Sequence, residues 1–225
     1  RAEDHAVQDV LLCIGTGKFF EIGDKVVSAA DDARNSFYAI HDTGSRISSR
    51  NALQRQVIAF EGTVSFAGDK GGAGHDVRKV SSHALSAEHK GWYLDLLWPD
   101  SYSGGYRGER VVSEPVLHAG RVIFTTLIPS ADPCSFGGNG WLIELQAFTG
   151  GALPYPAFDL NGDGVLDAYS GVKFEEIVSP PEILEDQDPD SDREYKYLSG
   201  SSGVILLTIE KADTTDGRLS WRQIR

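Results

Sequence analysis

The 225-residue chain contains no methionine, only two cysteines, and 21 lysines and arginines against 33 aspartates and glutamates. Each shortage excludes something. With a net charge of −12 and no Lys/Arg cluster to neutralise phosphates, no nucleic-acid partner is expected. No apolar run reaches the roughly 18 residues that a membrane-crossing helix needs, so no direct membrane insertion is expected. Cys13 and Cys134 form no Cys-x-x-Cys pair and no His/Cys grouping, which speaks against zinc. One disulfide and two plain thiols both remain open. A signal peptide is lacking, and a chain that starts at Arg1 without methionine reads as processed or truncated.

Catalytic signatures are equally scarce. The serines have no nucleophile-elbow context, and the six histidines (positions 5, 41, 75, 83, 89 and 118) are scattered. Gly15-x-Gly17 lacks the third glycine and following helix of a dinucleotide site. Gly137-Gly138-Asn139-Gly140 has no phosphate-binding lysine, and Cys134 has no neighbouring base. Trp92, Trp98, Trp141 and Trp221 read as packing aromatics rather than a sugar platform. The chain is expected not to be an enzyme.

What the sequence does have is strands. Hydrophobic residues make up 40% of the chain, enough for a sizeable core. They fall in short runs rich in Val, Ile, Thr and aromatics, bounded by Gly, Pro, Asn or Asp. Such runs occupy residues 10–14, 36–41, 57–60, 63–66, 91–96, 111–117, 121–128, 141–147, 203–209 and 218–224. One helix is expected, over 48–56. Residues 67–74, 101–110 and the acidic stretch 179–194 read as loops. No helical pattern alternates with the strands, so a βαβ fold is excluded.

A weak repeat is visible. Residues 10–17 followed by 37–41 and Asp42-Thr43-Gly44 mirror residues 122–129 followed by 141–147 and Phe148-Thr149-Gly150. Paired strands ending in Thr-Gly fit successive propeller blades of four strands, although a β-sandwich also gives many short strands. About ten to twelve strands make roughly three blades, fewer than the four to eight of a closed propeller. The expectation is an all-β chain, residues 1–225 forming one β-propeller segment from the C-terminal part of a larger propeller.

One segment points to a cation. Asp159, Asn161, Asp163, Val165 and Asp167 recur at every second position, and Gly164 follows the third. A Ca²⁺ loop takes oxygen ligands at positions 1, 3, 5, 7 and 9, with the backbone carbonyl at 7 and a turn glycine at 6. Here position 7 is Val165, and Ser170 stands where an EF-hand carries its bidentate Glu. Pro154 and Pro156 oppose an entering helix. Residues 159–167 therefore read as a Ca²⁺ loop between strands. A plain Asn/Asp/Gly turn is the alternative. Asp186, Asp188, Asp190 and Asp192 form a second acidic series without a glycine turn, and read as a solvated loop.

The strings Gly15-Thr-Gly-Lys-Phe-Phe20, Ser36-Phe-Tyr-Ala-Ile-His-Asp42, Gly91-Trp-Tyr-Leu-Asp-Leu96 and Gly108-Glu-Arg-Val-Val112 resemble the PilY family of type IV pilus biogenesis and tip proteins. So do residues 121–142, with Asp132-Pro-Cys-Ser-Phe-Gly-Gly138 inside them, and the ending Gly217-Arg-Leu-Ser-Trp-Arg-Gln-Ile224. The resemblance covers nearly the whole chain, in the order of the family's C-terminal domain. It implies a modified, quinoprotein-like propeller carrying one Ca²⁺ loop, exported through the periplasm of a Gram-negative bacterium to the pilus tip or outer surface. It also implies Ca²⁺-linked pilus extension and retraction, hence twitching motility and adhesion, with minor pilins and a host or abiotic surface as partners. The N-terminal part of the family's domain has no counterpart here, and Arg107-Gly108-Glu109 replaces the Arg-Gly-Asp of some members. Two other classes share the features: a quinone (PQQ)-dependent dehydrogenase propeller, and a Ca²⁺-dependent lectin-like domain.

Overall fold

The computed structural model describes residues 10–27, 34–66, 74–98, 107–132, 134, 136–186, 188 and 191–212. Their strands form three sheets and two cores, the middle sheet contributing a face to each core. The first sheet runs in the order β1 (Val10–Gly15), β2 (Ser36–Asp42), β6 (Gly91–Asp95), β3 (Gln54–Gln56). The middle sheet runs β4 (Ile58–Val64), β5 (His75–Val80), β12 (Gly171–Phe174), β10 (Gly138–Gln146), β8 (Arg121–Thr125), β7 (Val116–His118), with β9 (Ile128–Pro129) also on β10. The third runs β11 (Phe158–Asp159), β15 (Ile205–Lys211), β14 (Arg193–Ser199), β13 (Glu182–Glu185).

The middle sheet is covered on both faces. Along β8, Val122 and Phe124 enter the core shared with the first sheet, whereas Ile123 enters the core shared with the third. Along β10, Trp141, Ile143 and Leu145 go one way and Leu142 the other. This is why 121–128 and 141–147 read as continuous apolar runs rather than as alternating ones. Phe37 stacks on Phe124 with ring centroids 4.0 Å apart, and Trp92 Nε1 donates to Ala147 O at 2.9 Å, joining the first sheet to the middle one. Two buried tryptophans, Trp92 and Trp141, thus serve packing, as expected.

The repeat is real in three dimensions. β1 pairs antiparallel with β2 in register from Val10↔Asp42 to Gly15↔Phe37, and β8 pairs antiparallel with β10 from Gln146↔Arg121 to Leu142↔Thr125. The two Thr-Gly corners share a backbone conformation: Gly44 and Gly150 both have φ +70°.

Several expected boundaries move. In place of a helix over 48–56 there is one 3₁₀ turn, Arg50–Ala52, followed by β3, which pairs parallel with β6. That segment has no apolar helical stripe. Its Gln56 is buried, with the amide donating to His83 O at 2.8 Å and Thr149 O at 2.9 Å. Residues 57–60 and 63–66 fuse into the single bulged strand β4. Of 111–117 only the end is a strand, β7, and 121–128 divides into β8 and β9. The stretch 179–194 is not all loop: Glu182–Glu185 forms β13 against β14, which begins at Arg193. The strand at 218–224 and the loops at 67–73 and 101–106 lie outside the described residues. Strands β5, β12 and β14 were not expected.

Candidate functional site

The chain enters the cation loop through β11, whose Phe158 and Asp159 pair with Glu210 and Ile209 of β15. The loop then closes on itself. Phe158 and Asp167 form an antiparallel bridge, with Asp167 N donating to Phe158 O at 2.6 Å and Ala157 N donating to Asp167 O at 3.1 Å. The last expected ligand, Asp167, is therefore held by backbone to the residue just before the first, Asp159, and the loop lies between strands β11 and β12, not between helices. Gly162 (φ +71°) and Gly164 (φ +89°) supply left-handed turns that a residue with a Cβ rarely adopts.

Inside the loop, short polar side chains hold the backbone. Asp163 N donates to Asn161 Oδ1 at 3.2 Å, Val165 N donates to Asp163 Oδ1 at 2.7 Å, and Asn161 Nδ2 donates to Asp163 Oδ2 at 2.9 Å. The Asn161 and Val165 donors hold the Asp163 carboxyl below its usual range. Gly164 N donates to Asp159 Oδ2 at 3.1 Å. The other carboxylate oxygen, Asp159 Oδ1, is buried with no hydrogen-bond partner. An unpartnered buried carboxylate oxygen is costly and calls for a proton, a water or an ion. Asp167 is pushed above its usual range, first by burial and then by the charges of Asp163 and Asp159. This is how crowded carboxylates behave when a compensating positive charge is short.

The donor set fits a hard cation. Three carboxylates, one amide oxygen and the Val165 carbonyl are oxygen ligands of the kind Ca²⁺ takes, and Asp159 Oδ1 is an oxygen in want of a partner. The side chains do not yet converge. Among the described residues no group of three or more His, Cys, Asp and Glu side chains is close enough to hold a metal ion. The nearest positive charge is instead a protein group that the sequence pattern did not reveal. Arg193, at the start of β14, donates through Nη2 to Gly164 O at 3.0 Å and lies 3.5 Å through Nη1 from Asp159 Oδ2.

A second constellation, also unread in the sequence, lies where the middle and third sheets meet. Arg121 of β8 pairs with Glu144 of β10 at 3.2 Å and with Glu194 of β14 at 2.7 Å. Lys196 of β14 pairs with Glu144 at 2.5 Å, with Glu194 at 2.6 Å and with Glu210 of β15. Arg121, Glu144, Glu194, Lys196 and Glu210 are all buried, and His118 Nε2 reaches Glu194 from the rim at 3.1 Å. Two fixed cations face three carboxylates. Burial and the adjacent Glu144 raise Glu210 well above the carboxylate range, while Glu144 is held low by Lys196, a hydrogen bond from Glu210 and Arg121. Of this carboxyl pair, Glu210 is thus the one that holds a proton more readily, and Glu144 the one that favours its charged form. A comparable pair joins β5 to the loop before β7: Arg78 binds Glu109 through two bonds of 2.6 and 2.7 Å and lies over Trp141.

The remaining expected candidates are placed as follows. Cys13 and Cys134 are both free thiols, Cys13 half-buried with its pKa pushed up to about 11 by burial, Cys134 exposed. Asp186 Oδ1 accepts from Asp188 N at 3.1 Å in an Asx turn, and Asp190 lies outside the described residues. Among the described residues Ser86 Oγ lies 3.0 Å from His89 Nδ1. This contact closes an exposed four-residue turn in which Ser86 N also donates to Nδ1 at 3.1 Å. Among the described residues no helix is long and apolar enough to cross a membrane.

No protein-family model matches the chain. Among curated proteins it is 27% identical over 244 residues to the type IV pilus biogenesis factor PilY1 of Pseudomonas aeruginosa PAO1, covering 95% of this chain and 19% of that protein. It is 31% identical over 214 residues to the type IV pilus biogenesis factor PilY1 homologue of Xylella fastidiosa Temecula1, covering 92% of this chain and 16% of that protein. The crystal structure of the Pseudomonas aeruginosa PilY1 C-terminal domain matches with a TM-score of 0.68 at 22% identity, over 90% of this chain and 42% of that one. That likeness gives the fold: all-β and propeller-like. The chain spans less than a fifth of the length of the curated relatives. The strings that resemble the PilY family and the sequence identities agree: the chain is homologous to a region of the type IV pilus biogenesis factor PilY1.

Proposed function

We propose that this chain is the calcium-binding, non-catalytic domain of a type IV pilus biogenesis factor, carried outside the cell or at the pilus tip. Ca²⁺ would be held by Asp159, Asn161, Asp163, the Val165 carbonyl and Asp167, and its binding regulates pilus extension and retraction, and with them twitching motility and adhesion. Minor pilins and a host or abiotic surface are the partners. The observation that carries this reading is the Asp159–Asp167 loop: a closed hairpin with five oxygen donors in one register and a buried, unpartnered Asp159 Oδ1. Bound there, the ion supplies positive charge to carboxylates that otherwise repel one another. What the residues contribute is preorganisation, since the Phe158–Asp167 bridge and the two positive-φ glycines already set the loop's ends and turns.

Calorimetric titration with CaCl2 tests the site. Wild-type protein should bind one ion, Asp163→Ala should bind at least about tenfold more weakly because a charged central ligand is lost, and Mg²⁺ should compete poorly. Absence of Ca²⁺ binding by the wild type refutes the reading. In a piliated cell, Asp159→Ala should alter surface motility or pilus number while the exported protein persists at its normal amount. Unchanged piliation and motility, together with quinone-dependent alcohol oxidation by the full-length protein, would transfer the case to the dehydrogenase class.

A further inference from the structure

The loop already holds a positive charge of the protein's own. Arg193 is half-exposed, whereas the Asp159 side chain beneath it is fully buried. Its guanidinium bridges the first acidic position of the loop and the carbonyl of the turn glycine, at 3.5 Å and 3.0 Å. A Cβ built on Gly164 would lie 3.0 Å from Arg193 Nη2, so the arginine is seated against the turn itself. Only one oxygen of Asp159 is served by this arrangement; Oδ1 stays without a partner. The guanidinium is thus a partial substitute for a cation, close enough to offset the carboxylate but placed to one side of it.

We propose that Arg193 is the resident counter-ion of the loop and that a divalent cation binds by exchanging with it. This inference rests on the reading of 159–167 as a Ca²⁺ site and adds the residue that sets its affinity. The physical basis is competition for one carboxylate. A dication drawn to Asp159 meets the guanidinium charge beside the same carboxylate, and like charges that close repel. Ligation of Asp159 and retention of Arg193 therefore oppose each other, and by linkage each weakens the other by the same factor. A guanidinium also cannot lose its charge at any ordinary pH, so the only way to relieve the repulsion is for it to move. Arg193 is free to do so: it sits at the first position of β14, its side chain is half in solvent, and its contacts to the loop are two hydrogen bonds. The exchange weakens Ca²⁺ affinity while offsetting part of the charge of the cation-free loop. The site is tuned to release its ion rather than to retain it.

The test is calorimetric titration of CaCl2 into wild type, Arg193→Gln and Arg193→Lys, with thermal unfolding of each in EDTA and in excess Ca²⁺. If Arg193 competes, Arg193→Gln binds Ca²⁺ roughly fivefold or more tightly than wild type, a coupling of ordinary size. Arg193→Lys, which keeps the charge, stays near wild type. Arg193→Gln also lowers the unfolding temperature in EDTA but not in Ca²⁺, because the arginine matters only while the ion is away. If wild type binds and Arg193→Gln binds equally or more weakly, the arginine is merely a clip that shapes the loop, and the exchange is refuted while the Ca²⁺ site stands. If neither protein binds Ca²⁺, the site itself is refuted and the exchange with it. Binding by Arg193→Gln alone upholds both.

Discussion

Gly44 and Gly150 close the two Thr-Gly corners of the repeat at the same φ of +70°, but their surroundings differ completely. A Cβ added to Gly44 meets nothing within 4 Å, whereas one added to Gly150 would lie 2.1 Å from Cδ2 of Trp92. Trp92 is fully buried, packed among Phe37 and its neighbours, with its indole N–H tied to Ala147 O, so it has no room to retreat. The pair separates two costs that a glycine substitution usually mixes. Gly44→Ala should lose only the left-handed strain, about 1–2 kcal/mol. Gly150→Ala adds overpacking of a filled core, about 1–3 kcal/mol more, for a total of about 2–5 kcal/mol. For a chain of this size each kcal/mol is about 2–4 °C in Tm, so the two variants should differ by about 2–12 °C. Urea unfolding monitored by tryptophan fluorescence gives both free energies directly. Equal losses at the two positions would refute the claim that the Gly150 corner is set by its approach to Trp92, and with it the account of how the first and middle sheets are locked.

Other outcomes follow from the buried charges and thiols. Lys196→Met removes one of two cations from a cluster holding three carboxylates, and should cost about 3–5 kcal/mol, against less than about 0.5 kcal/mol for the exposed Lys25→Met; equal urea midpoints for the two variants would refute the argument. Burial alone would raise Glu194, but the hydrogen bond from His118 and the charges of Lys196 and Arg121 outweigh it and hold its pKa at about 2, down from 4.5. A depressed carboxylate contributes stability above its unfolded pKa and loses it as pH falls through the folded value. The destabilisation caused by Glu194→Gln should therefore be largest above about pH 4.5, near 3 kcal/mol, and shrink toward pH 2; a pH-independent penalty contradicts it. Cys134 should alkylate rapidly at pH 8 and Cys13 slowly, because burial keeps Cys13 protonated; equal rates by intact mass would contradict the burial.

How far the sequence could be read depended on what each strand hides. The strands of the middle sheet that bury Val, Ile, Phe and Trp, such as 121–125 and 141–146, announce themselves because apolar content signals burial directly. Strands β5 and β14 invert that code. In β14 the residues that point inward are Glu194, Lys196 and Leu198, and those that point out include Tyr195 and Tyr197. In β5, Arg78 is as fully buried as its neighbour Val77. A charged residue in a sequence reads as exposed, and only its partners on other strands, Glu144 and Glu210 or Glu109, make it an interior residue. Those partners are far away in sequence, so the acidic stretch before β14 merged with it into one apparent loop. The expected cation loop rests on the opposite kind of signal: its oxygen donors fall at alternate positions of one short segment, and spacing alone carries the pattern. Arg193, which completes the loop's electrostatics, lies 26 positions beyond Asp167 and leaves no trace in that spacing.

The same contrast bears on what the loop can influence. The third sheet is fastened to the middle one by an apolar core around Ile123, Leu142, Phe158 and Leu198 and by the buried ion-pair cluster of Arg121, Glu144, Glu194, Lys196 and Glu210. The loop grows out of β11 in that third sheet, and Phe158 belongs at once to the apolar core, to the pairing with Glu210 and to the bridge that closes the loop. An ion pair tolerates less displacement than an apolar contact, because a buried charge moved off its partner is left unpaired at a cost of several kcal/mol. A change in the loop therefore cannot slide the third sheet gradually over the middle one. It is either absorbed within the hairpin, through Gly162, Gly164 and the half-exposed Arg193, or it moves β14 and β15 together with their buried charges. The first path costs little, since it breaks two exposed or half-exposed hydrogen bonds. If a cation exchanges with Arg193 as proposed, its effect should be confined to the loop and to the face that Arg193 would leave.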